Sequence, residues 1–554
     1  MCRTVRRRVI PIARRTLARC VSLNIGRQPS RQALGILPGM TIPAEAATAQ
    51  LGVERRPEPR GRSRGWKLRR RLRNIPAPLT ALLGIVLIVG LCWALIVPPF
   101  SSPDESDHFA YAQSIAERLA LPGDPHRLGW STDEYDGAVL TGAFATAHYS
   151  AELRFDWSKA QLAGYNAAFA KHPSRSNGGG PVPASGNPPL YYLFSDLAYW
   201  AMYPGNAFDR LYAMRIWTLT LLLVTVVGAW LLAGEVLGRR RLPQLVCAAV
   251  AGLIPMETSI SSSVNPDSLV IAMSTLALWL GARVIVRAAR PLDVVALSAV
   301  TAAAILGKAT SWALMPAVAL AVLVGWRRRP RAERRKLWVP IGIAAVVLVV
   351  PVLAWVVYAR SRGISPINAI SVSTSAAGHA HRFIVGQFLS YVWQFYFPRL
   401  PWLTPFRTTP GLPVHDMWIR EGWGVFGWLE IAMPPWLYVI LTGFTVIVAV
   451  WSAALIAKMR DRLRLSLLAF FALALVALLF GLHLTEYRSL IDGQGALLQG
   501  RYLLPLVGLF GLAVGLIVSR IPARWRPSAS GAVLAGLLLL QVLALATVTQ
   551  RYYT

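Results

Sequence analysis

The fold is decided by the run APLTALLGIVLIVGLCWALIV (77–97) and by the segment that follows it, PPFSSPDESDH (98–108). The run carries no charge and is long enough to cross a hydrocarbon core of roughly 30 Å as a helix. Four ionisable side chains stand directly beyond its end, and they are Asp104, Glu105, Asp107 and His108. Such groups cost roughly 2.5–3.5 kcal/mol at the centre of a bilayer, so a cluster at the membrane boundary indicates a site reached from water.

The composition predicts a multi-pass membrane protein. The chain has 554 residues, of which 55% are hydrophobic, and apolar runs of membrane-spanning length recur along it. Lys and Arg number 57 against 26 Asp and Glu, which gives a formal net charge of +31. The arginines lie in short clusters between apolar runs, which is typical of cytoplasmic loops and unlike the single basic domain of a nucleic-acid-binding protein. We therefore expect no nucleic-acid partner.

The alternation of apolar runs and arginine clusters predicts an all-α bundle of about eleven transmembrane helices. The first span, at about 77–97, follows four arginines that place the N-terminus in the cytoplasm and the acidic motif outside: Arg69, Arg70, Arg71 and Arg73. Further spans are predicted at about 211–237, 244–262, 267–286, 337–358, 434–457, 465–483, 502–519 and 529–549, with a hairpin of two shorter segments at 293–307 and 311–326. The C-terminus is then outside, and two large external loops cover 98–188 and 359–432.

The chain divides into three predicted regions. Residues 1–76 are basic and rich in Arg, Pro and Gly, which is typical of a disordered cytoplasmic tail. Its arginines are not followed by the apolar segment of a cleavable signal peptide, and translation from Met40 is an alternative that the sequence leaves open. A transmembrane module is predicted at 77–526, and a last transmembrane helix at 527–554.

The acidic motif has a structural interpretation as well as a catalytic one. Ser102 can cap a helix that Pro103 begins, with Glu105 completing a capping box and Asp104 favouring the positive end of the helix. The residues beyond separate into a polar and an apolar face, which predicts an amphipathic helix along the outer membrane surface. Capping does not explain the next two ionisable residues of the motif. Two interpretations therefore stay open: the motif contains a functional carboxylate, or it serves only to begin a helix.

Further polar groups are predicted at the same outer side. Asn265 and Asp267 begin an inward-returning span, where an Asn-Pro turn with an aspartate cap is the structural alternative. Lys308 stands at the tip of the short hairpin, and Arg501 with Tyr502 begins the penultimate span. Lysine and arginine prefer the cytoplasmic side of a membrane, so a lysine at the outer boundary is unusual. The planar guanidinium group of an arginine can bind phosphate through two hydrogen bonds. Both side chains are therefore candidates for binding an anion. The alternatives are that they extend toward the membrane surface or anchor the helix at the interface.

Five motifs occur in an order that resembles a known pattern: PPFSSPDE (98–105), NPPLYY (187–192), NPD (265–267), GK (307–308) and GRYLLP (500–505). The pattern resembles a large family of predicted bacterial multi-pass membrane proteins that is labelled only as a domain of unknown function. That family is grouped with the GT-C glycosyltransferases, and the resemblance covers roughly residues 79–520. It implies a GT-C-like membrane module in a bacterial plasma membrane.

The resemblance also implies an activity. GT-C enzymes take a sugar from a polyprenyl-phosphate donor and act on the extracytoplasmic side. We therefore expect an inverting glycosyltransferase acting on an envelope glycan or a lipid-linked acceptor, with membrane lipids around it, the lipid-linked sugar as co-substrate, and no other cofactor or metal. Asp104 or Glu105 would be the general base, and Lys308, Arg501 and Tyr502 would bind the donor phosphate. The expected acceptor and supporting residues are Asp107, His108, Asn265 and Asp267.

Three alternatives remain at the level of sequence. The run Asp133-Glu134-Tyr135-Asp136 has no counterpart in the family pattern and is a rival for the acidic site. A transporter or flippase of a lipid-linked saccharide is the alternative function, although such proteins carry charges deep in interrupted spans and show internal repeats. A scaffold for envelope assembly is a third class.

Overall fold

The computed structural model describes residues 76–140, 142, 158–363, 383–405, 412–493 and 495–554. The predicted N-terminal tail, the alternative start at Met40 and parts of both predicted external loops lie outside the described residues. About three quarters of the described residues are helical. Its strands are Val425–Phe426 (β1) and Ile431–Ala432 (β2), which pair antiparallel with Val425 opposite Ala432. The predicted all-α fold is confirmed.

The first half of the described chain leads from the first membrane helix to the one that begins at Asp267. Its elements are α1 (Ala77–Ile96), α2 (Glu105–Arg118), α3 (Thr132–Leu140), α4 (Lys159–Phe169), a 3₁₀ turn (Pro183–Gly186), α5 (Leu190–Ala201), α6 (Ala207–Val236), α7 (Arg241–Leu253), α8 (Pro255–Ile260) and α9 (Asp267–Val286).

The second half contains the remaining long helices, and several of them begin with a 3₁₀ turn. Its elements are α10 (Pro291–Ile305), a 3₁₀ turn (Ala309–Leu314), α11 (Met315–Arg328), α12 (Arg331–Arg334), a 3₁₀ turn (Arg335–Leu337), α13 (Trp338–Ser361), α14 (Val385–Tyr396), a π-helical turn (His415–Glu421), α15 (Gly422–Gly424), α16 (Pro435–Ala457), α17 (Arg462–Ile491), a 3₁₀ turn (Gly500–Leu506), α18 (Val507–Arg520) and α19 (Arg526–Tyr553).

Nine helical segments of the described chain are long and apolar enough to cross a membrane, and α7 and α10 are shorter apolar helices. The number of spans and the side of each terminus stay predictions. One predicted span, 244–262, is wrong as a single helix, because it breaks into α7 and α8. Ile254 between them is extended, with ψ of 126°, and Pro255 begins α8. A proline disfavours the helical conformation in the residue before it, and this explains the break.

Helix α9 lies at the centre of the bundle. Of the most apolar 18-residue stretch of this segment, 72% is buried inside the protein, whereas the value is 17% for the corresponding stretches of the segments that contain α13 and α16. It packs against α6, α10 and α11, and against the 3₁₀ turn that precedes α18. Helix α18 in turn packs closely on α7, where a Cβ atom at Gly511 would overlap the carbonyl oxygen of Cys247. This central packing places the start of α9 beside the segment that contains Arg501.

Helix α2 differs from its prediction. Every residue from Glu105 to Ile115 is buried, so the predicted amphipathic helix along the membrane surface is wrong. Helix α5 packs against α2, and its tyrosines fill the space that solvent or lipid would otherwise occupy. Burial of a polar helix requires partners for its side chains, and those partners form the site described next.

Candidate active site

Four charged side chains from four separate segments form one group, which we call the charged cluster: Asp104, Asp267, Lys308 and Arg501. Arg501 Nη2 donates to Asp104 Oδ2 at 2.7 Å, and these two residues are 397 positions apart. Lys308 Nζ donates to Asp267 Oδ1 at 2.7 Å. Arg501 Nε also lies 3.7 Å from Asp267 Oδ2, so the two ion pairs form one network.

Asp104 is the accessible member of the charged cluster. Its side chain is 36% exposed, whereas that of Arg501 is 2% exposed and that of Asp267 is 8% exposed. Burial acts to raise the pKa of Asp104, but the positive charges of Arg501 and Lys308 outweigh it and hold that pKa below its usual value. The carboxylate is therefore ionised at neutral pH and open to a molecule arriving from solvent.

The backbone at Asp104 aims this carboxylate away from α2. Its φ is 59°, in the left-handed region that aspartate tolerates better than most residues. The carbonyl oxygen of Asp104 accepts from His108 N at 3.0 Å and so begins the helix. The predicted capping box is wrong, because α2 begins at Glu105 and the side chain of Ser102 caps no helix. The start of the helix instead turns the side chain of Asp104 toward Arg501.

Glu105 lies in a different environment from its neighbour. Arg215 Nε donates to its Oε1 at 2.8 Å, Arg215 Nη2 donates to Oε2, and Val264 N donates to Oε1 at 3.1 Å. Both side chains of this ion pair are fully buried. Arg215 also donates to three carbonyl oxygens at the end of α1, those of Ala94, Val97 and Pro98. Glu105 and Arg215 therefore join α1, α2 and α6 next to Asp104 of the charged cluster.

Asn265 connects the acidic motif to the start of α9. Its Oδ1 accepts from Asp267 N at 2.9 Å, and its Nδ2 donates to the carbonyl oxygen of Pro103 at 3.3 Å. Its backbone N donates to the Tyr191 hydroxyl at 2.8 Å. The side chain of Asn265 is therefore committed to backbone groups, and it holds Asp104 and Asp267 in register.

Lys308 of the charged cluster and the neighbouring Tyr502 border an apolar cavity. Lys308 Nζ lies 4.8 Å from the ring centroid of Tyr502, and Arg501 Cζ lies 5.5 Å from the same centroid. Cation–π contacts of this kind hold a cation without neutralising it. Both Lys308 and Tyr502 line a cavity of about 190 Å³ whose other walls come mainly from apolar residues of α17 and of the hairpin.

Two glutamates position the segment before Arg501. Glu421 Oε2 accepts from Gly500 N at 2.7 Å, and Glu486 Oε2 accepts from the backbone N of Leu497 and of Leu498, each at 2.7 Å. Glu486 is buried within α17. Glu421 lies 79 positions before Gly500, so its contact depends on how the two segments pack.

His108 faces the charged cluster as a neutral side chain. Its Nδ1 lies 3.0 Å from the Tyr192 hydroxyl, which accepts from Asn187 Nδ2 at 3.1 Å. The hydroxyl can then donate to Nδ1, which leaves the ring proton on Nε2. Burial lowers the pKa of His108 to about 3. The NPPLYY motif therefore fixes the tautomer of a histidine beside Asp104.

The rival acidic run lies near Asp107 and not within the charged cluster. Asp133 pairs with Arg210 and accepts from Gln113 Nε2 at 3.3 Å. Asp107 Oδ1 accepts from Trp130 Nε1 at 3.1 Å. Burial raises the pKa of Asp107 to about 6, and burial together with Asp107 and Asp133 raises the pKa of Glu134 well above its usual value. These carboxyl groups form a separate buried set next to the site.

The chain also matches a known family over most of its length. The family model describes a predicted membrane protein, DUF2142, and it aligns with residues 87–510. The chain belongs to the DUF2142 family. The resemblance seen in the sequence is thereby confirmed for the family, and all four members of the charged cluster lie within the matched residues.

The DUF2142 chain is similar to two solved membrane-protein structures. ArnT from Cupriavidus metallidurans bound to undecaprenyl phosphate is 13% identical, with a TM-score of 0.40, over 83% of this chain and 62% of that chain. The oligosaccharyltransferase AglB from Archaeoglobus fulgidus, in complex with an inhibitory peptide and a dolichol-phosphate, is 11% identical, with a TM-score of 0.43, over 85% of this chain and 56% of that one.

The DUF2142 chain thus spans less than two thirds of either structure. No curated protein matches its sequence. A similarity of this size assigns no function, and the function proposed below rests on the residues of the DUF2142 chain itself.

Asp107→Asn is expected to stabilise the DUF2142 protein at alkaline pH. Because burial raises the pKa of Asp107 from 3.8 to about 6, the free energy of unfolding falls as the pH rises through that interval. Two pKa units correspond to about 3 kcal/mol, and an isosteric amide that still accepts from Trp130 avoids this loss. The melting temperature of the purified variant should exceed that of the wild type most at pH 8 and least near pH 4.

The matched control for this prediction is Asp124→Asn. Asp124 is exposed, and a hydrogen bond from the backbone N of His126 lowers its pKa, so its amide variant should gain no melting temperature at pH 8. An equal gain from both variants would show that net charge, and not the burial of Asp107, determines the effect.

Proposed function

We propose that this protein is a GT-C-type membrane glycosyltransferase that moves a sugar from a polyprenyl-phosphate donor to an envelope glycan or a lipid-linked acceptor on the extracytoplasmic side. The observation that carries the proposal is the convergence of an accessible carboxylate, Asp104, with two cations, Lys308 and Arg501, at the ends of membrane helices. Sugar transfer from a lipid phosphate requires a base for the acceptor hydroxyl and positive charge for the departing phosphate.

The proposed reaction is a single displacement. The acceptor hydroxyl gives its proton to Asp104 while its oxygen attacks the anomeric carbon of the donor sugar. The bond from that carbon to the phosphate oxygen breaks, and its electron pair leaves with the polyprenyl phosphate. Attack opposite the leaving group inverts the anomeric configuration. A positioned base contributes typically about 10²–10⁴-fold to such a step.

The same geometry couples donor binding to the strength of the base. Before the donor arrives, Arg501 Nη2 is bonded to Asp104, while Arg501 Nη1 is buried and has no hydrogen-bond partner among the described residues. A donor phosphate can occupy Nη1 and compete with Asp104 for the guanidinium. As the phosphate neutralises Arg501, the positive charge that lowers the pKa of Asp104 is weakened, and Asp104 becomes a stronger base.

The apolar cavity beside Lys308 supports a lipid-linked donor over a soluble nucleotide sugar. Its walls include Leu478, Leu482 and Trp312, and Lys308 stands at its polar edge. The phosphate of a lipid could bind Lys308 and Arg501 while the nearest part of its hydrocarbon chain enters this cavity. A nucleotide has no hydrocarbon group that would gain from such walls.

Lys308→Met is expected to raise the KM for the donor at least tenfold and to change the KM for the acceptor by less than twofold. A charge-assisted hydrogen bond to phosphate is worth about 1.5–3 kcal/mol, and methionine keeps the length of the side chain without the charge. Initial rates in liposomes, with each substrate varied in turn, measure the two constants. Lys458→Met, an exposed lysine after α16, is the control, and equal effects of Lys308→Met on both substrates would contradict the phosphate role.

The proposed function is tested in cells by comparing envelope glycans with and without this protein. Absence of the protein should remove one sugar or one glycan from the envelope. Wild-type protein should restore it, whereas Asp104→Asn, expressed at the same level, should not. Unchanged glycans in its absence, or full restoration by the variant, would contradict the proposal.

A further inference from the structure

An apolar groove lies at the far end of α18 from Arg501. It is formed between α16, α17 and α18 and has a volume of about 530 Å³. Leu467, Phe471, Leu512 and Leu516 are among its walls. Only 17% of the most apolar 18-residue stretch of α16 is buried inside the protein. The groove is therefore bordered on the α16 side by a helix that faces the membrane. The groove is therefore open to lipid.

Three arginines from three separate segments line the same groove: Arg240, Arg464 and Arg520. All three side chains are exposed. Arg240 and Arg520 have no side-chain hydrogen bond or ion pair with any described residue, and Arg464 makes one contact, from its Nε to Asp461 Oδ2 at 3.9 Å. Exposed guanidinium groups at the edge of a membrane attract the phosphate of an anionic lipid.

The helix ends around the arginines are of both kinds. Arg240 immediately precedes α7 and Arg464 lies in the first turn of α17, whereas Arg520 is the last residue of α18. The N-terminal end of a helix carries partial positive charge and the C-terminal end partial negative charge, so these dipoles offset one another. The positive potential of the groove therefore comes from the arginine side chains.

The depth of the groove matches one leaflet. The part of α18 that lines it runs from Leu509 to Arg520, which is about 17 Å at 1.5 Å per residue. Half of a hydrocarbon core of roughly 30 Å is about 15 Å. A second cavity of about 360 Å³ shares Leu509 and Ala513 with the groove and reaches Gly500. An acyl chain thus fits the first cavity, whereas a much longer polyprenyl chain would enter both.

We propose that this groove binds one anionic phospholipid, with its phosphate between Arg240, Arg464 and Arg520 and an acyl chain along α18. This lipid is neither donor nor product of the proposed transfer. It is a resident lipid of the arginine-rich side of the membrane, and it fills the groove that leads toward the segment before Arg501.

The test uses the full-length protein, purified and examined by native mass spectrometry with added phosphatidylglycerol or phosphatidylcholine. The wild type should retain one phosphatidylglycerol in preference to phosphatidylcholine. Joint replacement of Arg240, Arg464 and Arg520 by Gln should weaken that retention at least tenfold, since each basic residue near an anionic lipid contributes about fivefold. Ala472→Trp, which fills the groove from its exposed side, should weaken it without changing any charge.

The control is a second triple variant with the same change in charge, in which Arg239, Arg462 and Arg524 are replaced by Gln. These three arginines are exposed near the lining arginines and do not line the groove. This control variant should change the retention of phosphatidylglycerol by less than twofold. Equal losses in the two triple variants, full retention in Ala472→Trp, no preference for phosphatidylglycerol, or a co-purified polyprenyl phosphate in its place would each overturn the proposal.

Discussion

Asp104→Asn should slow sugar transfer by about 10²–10⁴-fold while the protein stays folded and still binds the donor. Asparagine has the same shape as aspartate, and its Oδ1 can still accept from Arg501, but it cannot take a proton from an acceptor hydroxyl. Single-turnover rates in liposomes measure the loss, and the KM for the donor shows that binding is retained.

Glu105→Gln is the comparison that separates the two carboxylates of the motif. Both oxygens of Glu105 accept hydrogen bonds from Arg215 and Val264, so its replacement should lower the melting temperature more than the rate per folded molecule. Full activity in Asp104→Asn, together with loss of activity in a folded Glu105→Gln variant, would assign the base to Glu105.

Arg215→Met should lower the free energy of unfolding by about 3–5 kcal/mol, the largest stability effect that we expect from one substitution. The change leaves the carboxylate of Glu105 buried without its cation and removes the donors to Ala94, Val97 and Pro98. Thermal unfolding in detergent measures the effect. Arg127→Met is the control, because Arg127 pairs with Asp124 at the surface, where such pairs are worth about 0–1 kcal/mol.

The double variant Glu105→Gln/Arg215→Met tests the cause of that loss. It should melt above Arg215→Met alone, because no ionised carboxylate is then left unpaired in the interior. The contradicting result is a double variant that melts below Arg215→Met by the full amount that Glu105→Gln lowers the melting temperature on its own. The two effects would then be additive, so Glu105 and Arg215 would not be coupled. The buried ion pair would then not hold α1, α2 and α6 together.

The sequence predicts the long helices well because their signal is local. The run at 77–97 becomes Ala77–Ile96, and the span predicted at 267–286 is helical over those same residues. Hydropathy and length decide such segments without reference to the rest of the chain. The errors arise where one residue interrupts a run, as Pro255 does between α7 and α8, and that signal was present in the sequence.

The partners within the site could not be predicted in the same way. The sequence indicated that Asp104, Asp267, Lys308 and Arg501 lie on one side of the membrane, and the structure brings them together. It did not indicate Arg215, which lies within an apolar span 110 positions from Glu105. Neither did it indicate Glu421, which binds Gly500 N from 79 positions away. Pairing across such distances depends on how the helices pack, and a single sequence does not display this.

The most direct test of the central claim follows the sugar itself. Purified protein in liposomes receives polyprenyl phosphates that carry radiolabelled sugars, together with envelope glycan acceptors. We predict that label leaves the lipid and appears in a glycoside of inverted anomeric configuration, and that Asp104→Asn stops this transfer. Label that crosses the bilayer while staying on its lipid, at equal rates in the wild type and in Asp104→Asn, would contradict a transferase and identify a flippase.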